Sequence, residues 1–72
     1  MEKVAATSPD VYAVRMVSRR TQDQFAGCLG IPAPTLRSWE QKRREPSGAA
    51  RTLIRMIERK PELIDLLESA AQ

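Results

Sequence analysis

The stretch from Thr21 to Gly48, TQDQFAGCLGIPAPTLRSWEQKRREPSG, does most to limit what this chain can fold into. Thr21 opens a helix, and Gln24 three residues later allows a reciprocal cap in which each side chain bonds the other residue's backbone N–H. Phe25, Ala26 and Leu29 give that helix an apolar face. Gly30 stands where a helix ends in a left-handed residue, a conformation that costs glycine little. Ile31 precedes a proline and is pushed out of the helical region. Pro32 and Pro34 are tolerable only in the first turn of a new helix, where backbone N–H groups have no helical partner. Leu36 and Trp39, three apart, share a face of that helix, which runs to about Gln41. The small Ala26 lets the two helices approach, and Ile31 fills the angle between them. Lys42 to Gly48 is then a polar, basic, proline-containing connection.

The flanks read as further helices. Residues 1–9 are expected to be a loose tail and 10–72 the domain. Ser8 is the expected N-cap of a first helix, with Pro9 at its first position. Val11, Val14 and Val17 recur at helical spacing to about Arg19. Their β-branched side chains make this helix weak in isolation, so packing must hold it. Ser47 or Gly48 opens a fourth helix with Ala50, Leu53, Ile54 and Ile57 on one side and Arg51, Arg55 and Arg59 on the other. Lys60-Pro61 breaks it. A short fifth helix over residues 61–69 carries Leu63, Ile64, Leu66 and Leu67. No stretch alternates with a period of two. The expected fold is all-α, a compact bundle of about five short helices.

A chain of 72 residues suits one small domain with a thin stability margin. Oligomerisation is a common remedy. The single cysteine, Cys28, has no internal partner, which fits a reducing, cytoplasmic setting. No apolar run approaches the ~18 residues of a membrane span. The start MEKVAATSPD lacks the apolar core of a signal peptide. There is no histidine, no cysteine cluster, no paired-acid site and no phosphate-binding glycine loop. Catalysis, a metal site and a cofactor are therefore not expected. Charge is uneven: residues 15–60 hold eleven basic and four acidic side chains, while the two ends together hold one basic and five acidic. The middle faces a polyanion, or its charges merely solvate helix surfaces.

Two short helices at this spacing match a helix-turn-helix, whose second helix lies in the major groove of DNA. Thr21-Gln22, Phe25-Ala26, Leu29-Gly30, Leu36 and Trp39-Glu40 resemble the helix-turn-helix family of lambda-type phage repressors and Cro. The continuation through Gln41 to Ala50, with Leu53-Ile54, Ile57 and Pro61, is similar more specifically to HigA-type antitoxins. The resemblance spans about residues 11–67. It implies that Ala33, Pro34, Arg37 and Ser38 form the outward edge of the recognition helix. It implies that Gln22 binds a phosphate at the start of its helix, beside Thr21, and that Thr35 sits nearer the backbone. Glu40 would pair with Arg15. Two residues depart from the pattern: Lys42 stands where glycine is usual, which would reshape the exit loop, and Pro32 replaces a Ser or Thr cap.

Arg37 is the expected base reader, since its planar fork can bond guanine O6 and N7, for about 1–3 kcal/mol of discrimination. A phosphate contact or a solvated arginine is the plainer alternative. Ala33 and Pro34 can offer only apolar contact, such as to a thymine methyl, so a half-site with a G near a T is expected. Lys42, Arg43, Arg44 and Arg51 are expected to clamp phosphates, or to be a solvated loop and helix face; Arg19 and Arg20 could join them. Trp39 and Phe25 read as core, Cys28 as a small half-buried residue, and Tyr12 as either core rim or surface. Leu63, Ile64, Leu66 and Leu67 either pack on the domain's own core or form a two-fold dimer interface. The expected partners are double-stranded DNA, palindromic if the chain is a homodimer, and, as the resemblance implies, a small ribonuclease-type toxin. A repressor without a toxin, or a protein-interaction module on the same fold, are the alternatives.

Overall fold

The computed structural model describes residues 9–71. Residues 1–8 of the expected tail over 1–9, Ser8 among them, and the terminal Gln72 lie outside the described residues. Five α-helices follow in order: α1 Val11–Ser18, α2 Gln22–Leu29, α3 Ala33–Glu40, α4 Gly48–Arg59 and α5 Leu63–Ala70. There is no strand among the described residues, and the fold is all-α as expected.

Helix α1 starts later than expected. Asp10, not Ser8, is its N-cap, and its carboxylate accepts a hydrogen bond from the Ala13 N–H at 3.1 Å. Pro9 stays outside the helix. The buried stripe is Val11, Val14 and Ser18. Val17, expected on the apolar face, is instead 62% exposed. Arg19 ends the helix in the left-handed region at φ 60°, its N–H donating to the Met16 carbonyl. The Ser18 hydroxyl donates to the Arg15 carbonyl at 2.7 Å, so an inward serine satisfies a terminal acceptor of its own helix.

Helix α2 follows the expectation closely. The reciprocal cap is complete: Gln24 N–H donates to Thr21 Oγ1 at 3.1 Å, and Thr21 N–H donates to Gln24 Oε1 at 2.9 Å. Gly30 at φ 72° ends it; the Ile31 N–H reaches back to the Ala26 carbonyl and the Gly30 N–H to that of Gly27. These are the two bonds of a Schellman turn. Helix α3 begins at Pro32 with no side-chain cap, as the missing hydroxyl implied. At its far end Lys42 takes the left-handed conformation itself, at φ 63°. Arg43 N–H donates to the Ser38 carbonyl and Lys42 N–H to that of Trp39, which is again a Schellman turn. The exit loop therefore keeps the glycine geometry with a lysine in place, contrary to the expected reshaping.

Helix α2 packs on α3 and α5, and α1 on α4 and α3. Phe25, Leu36, Ile54 and Ile57 are fully buried at the centre, joined by Val11, Val14, Ala26, Trp39 and Ile64. Every helix thus sends at least one side chain into a single core. Burying a large aliphatic or aromatic side chain contributes about 1.5–3 kcal/mol, so this shared centre fixes how α3 is presented.

Candidate nucleic-acid interface

Leu36 and Trp39 anchor α3 inward, which turns Pro34 and Arg37 to the exposed side and leaves Ser38 half-buried between. Ala33 departs from its expected place: it is half-buried and packs against the core, because the helix start lies close to its neighbours. Gln41 was missed. It is exposed and lies one helical stripe on from Pro34, Arg37 and Ser38, at spacings of seven, four and three. Those spacings were visible in the sequence, and an amide there has the geometry to bond adenine N6 and N7.

Beyond Gln41 the backbone turns and carries Lys42, Arg43 and Arg44, all exposed. Arg44, Glu45 and Ser47 close one side of an open cleft whose other side is Pro34, Thr35, Ser38 and Trp39. Thr35, Ser38 and Arg44 are thereby brought together, with the carboxylate of Glu45 nearby. Trp39 lines the cleft but is only 8% exposed, so its ring belongs to the core. Arg51 is half-buried, not solvated. Its Nη2 donates to the Pro46 carbonyl at 3.2 Å, and its Nε is buried without a hydrogen-bond partner. Arg51 therefore braces the exit loop from α4.

Behind α3 sits the expected ion pair. Arg15 Nε donates to Glu40 Oε2 at 2.6 Å and Nη2 to Oε1 at 3.2 Å, a two-pronged contact with side chains 12% and 5% exposed. Arg15 Nη1 also donates to the Arg20 carbonyl at 3.0 Å, and the guanidinium lies 5.5 Å from the centre of the Tyr12 ring. The Glu40 hydrogen bond raises the Arg15 pKa against the opposing effect of desolvation. One side chain ties α1, the α1–α2 turn and the end of α3.

Gln22 is not free at the start of α2. Its Nε2 donates to Glu40 Oε1 at 3.0 Å, and its Oε1 accepts from Arg37 Nη1 at 3.4 Å. The Thr21 oxygen accepts in the helix cap, leaving its own hydrogen to donate. Arg20 is committed elsewhere. It donates to Asp65 at 2.7 Å, to both Glu68 oxygens, and to the Ser18 carbonyl at 3.0 Å. It clasps α5 and is not placed to join a phosphate clamp. Its pKa is raised, mainly by the Glu68 bond.

Of the four apolar residues of α5, Ile64 is a core residue and Leu63 and Leu67 are half-buried against the core. Only Leu66 of these four is exposed, at 65%. The self-packing alternative accounts for Ile64, because α5 must cover α2. Tyr12 is on the surface. Cys28 is half-buried; burial raises its thiol pKa, with Glu68 adding and Arg20 opposing. Among the described residues, no group of three metal-ligating side chains clusters, and no helix is long and apolar enough to cross a membrane.

No family model matches the chain. It is similar to the antitoxin HigA-2 of Vibrio cholerae, 36% identical over 58 residues. The match covers 79% of this chain and 56% of the relative, so the chain spans about half the length of the curated protein it matches.

Proposed function

We propose that this chain is a sequence-specific, double-stranded-DNA-binding regulator of the antitoxin type, a non-enzyme acting as repressor of its own toxin–antitoxin operon. The observation that carries this reading is one continuous outer surface. The outer stripe of α3, with exposed Pro34 and Arg37 and half-buried Ser38, continues through Gln41 at the C-cap into Lys42, Arg43 and Arg44. The core and the Arg15–Glu40 pair fix that stripe from behind. A recognition helix needs this combination: a few polar and apolar tips for base edges, and cations beside them for phosphates. The likeness to an antitoxin supports the regulatory role and a toxin as protein partner.

In this reading Arg37 reads a guanine and Gln41 an adenine, with Pro34 against a thymine methyl and Ala33 and Ser38 at the edges. Thr21, Thr35 and the loop cations border the DNA backbone, and Arg51 supports the loop. The chain binds as a homodimer on a palindrome, since so few base contacts per subunit need pairing for useful specificity. Leu66, flanked by Leu63 and Leu67, is the dimer contact; Ile64 supports it from the core.

The test is a titration of purified protein against a duplex from its own promoter at several salt concentrations. Three loop cations per subunit in a dimer give a slope of log affinity on log salt of roughly −5. A slope near zero would remove the phosphate clamp. Co-expression with the product of an adjoining small gene, and recovery of both chains together, tests the toxin.

A further inference from the structure

The hydrogen bonds at the start of α2 point to a role for Gln22 other than the phosphate ligand that the resemblance implies. Four polar side chains from three helices form one relay: Arg15, Glu40, Gln22 and Arg37. Glu40 Oε1 accepts from both Arg15 Nη2 and Gln22 Nε2, at 3.2 and 3.0 Å. Gln22 Oε1 accepts from Arg37 Nη1 at 3.4 Å. The amide can sit only one way round. A carboxylate only accepts and a guanidinium only donates, so the Gln22 nitrogen must face Glu40 and its oxygen must face Arg37. Glu40 is itself immobilised, being 5% exposed and gripped by two nitrogens of Arg15. The fixed element is therefore the buried pair, and the exposed element is Arg37.

We infer that Gln22 is a positioning residue for base reading: it holds the Arg37 guanidinium at a set angle to the groove, using the Arg15–Glu40 pair as its anchor. The inference rests on the DNA-binding reading above. Arg37 spends one of five N–H donors on Gln22 and keeps the others for a base edge. A long side chain held before binding loses less freedom when it binds, and its fork meets guanine O6 and N7 in one orientation. Specificity at that base pair is thus set partly from a helix that does not enter the groove.

The experiment is a binding-site selection with wild type, Gln22→Met and the double variant Gln22→Glu with Glu40→Gln, alongside salt titrations. Gln22 is on the first turn of α2 and outside the core, so Gln22→Met is expected to fold, which a thermal melt checks. For Gln22→Met, the preference for guanine opposite Arg37 should fall roughly fivefold or more, with the other positions and the salt slope unchanged. An unchanged guanine preference with affinity lowered equally for every sequence would overturn the inference and make Gln22 a phosphate ligand, a neutral one that leaves the salt slope as it was. The double variant exchanges amide and carboxylate and so restores the donor–acceptor order. The amide now at position 40 donates to the carboxylate now at position 22 and accepts from Arg15 Nε, giving up the bond from Arg15 Nη2, while that carboxylate accepts from Arg37. It should recover the guanine preference, and failure to do so counts against the relay. In the free protein, rotation of the Arg37 guanidinium measured by NMR should be faster in Gln22→Met than in wild type. Equal rates would overturn the positioning role without any reference to DNA. A wild type that selects no sequence at all would instead remove the DNA reading itself.

Discussion

The chain leaves α2 through Gly30 at φ 72° and leaves α3 through Lys42 at φ 63°, and the same pair of backbone hydrogen bonds closes both helices. The first turn sits inside the two-helix unit, where Ile31 is half-buried, and it uses the residue for which the conformation is cheapest. The second turn faces outward. It keeps a lysine where glycine would be easier, at a cost of about 1–2 kcal/mol. The two turns also differ in what steadies them. The first is held by packing around Ala26. The second follows directly on Glu40, which Arg15 pins. The difference teaches that the inner turn is built for geometry alone. The outer turn carries a left-handed lysine, and with it a positive charge, at the end of the candidate reading surface.

The largest way to break this comparison is to remove the pin of the outer turn. Arg15→Ala leaves the buried Glu40 carboxylate without its cationic partner, bonded only by the Gln22 amide, and should cost about 3–5 kcal/mol in denaturant unfolding. A loss below ~1 kcal/mol would mean that the outer turn holds itself. At the inner turn, Gly30→Ala should cost about 1 kcal/mol. A Cβ there meets nothing within 4 Å, so the whole penalty is conformational. Lys42→Gly should have the opposite sign, a gain of up to about 1 kcal/mol. Relief of the left-handed lysine is partly offset by the freedom glycine adds to the unfolded chain. The same variant should weaken DNA binding and make the salt slope shallower by about one per subunit. Stability and affinity moving together in Lys42→Gly would refute the idea that strain is retained for charge. The smallest expected effect concerns Cys28, two residues before Gly30 at the inner exit. Its raised thiol pKa should make maleimide labelling at neutral pH slower than in the unfolded chain. Equal rates would show that the end of α2 opens freely.

The parts of the fold that were legible in the sequence are those made by neighbours in the chain. The cap of α2 needs only Thr21 and Gln24, its end needs only Gly30, and the inward side of α3 needs only Leu36 and Trp39. Where two local signals competed, the sequence misled. Ser8-Pro9 and Asp10 can each start a helix, and the carboxylate of Asp10 is the one that caps Ala13. Apolar identity also misled in α1, where Ser18 turns inward and Val17 outward, because the Ser18 hydroxyl finds the Arg15 carbonyl. In the candidate site, the Arg15–Glu40 pair was legible by resemblance, and the stripe of α3 by spacing. The engagement of Arg20 with Asp65 and Glu68, and of Gln22 with Glu40 and Arg37, was not. Each depends on how helices far apart in the chain meet, and nothing in the local pattern distinguishes a committed arginine from a free one.

The most direct test of the central claim, that α3 reads duplex sequence, is a binding-site selection run side by side on wild type and Arg37→Ala. The wild type should enrich a palindrome whose half-sites contain a G with a nearby T and lie about one helical turn apart. Arg37→Ala should lose the preference for that G, by about 1–3 kcal/mol, while the rest of the motif survives. No enrichment by the wild type, or an identical motif from Arg37→Ala, would contradict the account.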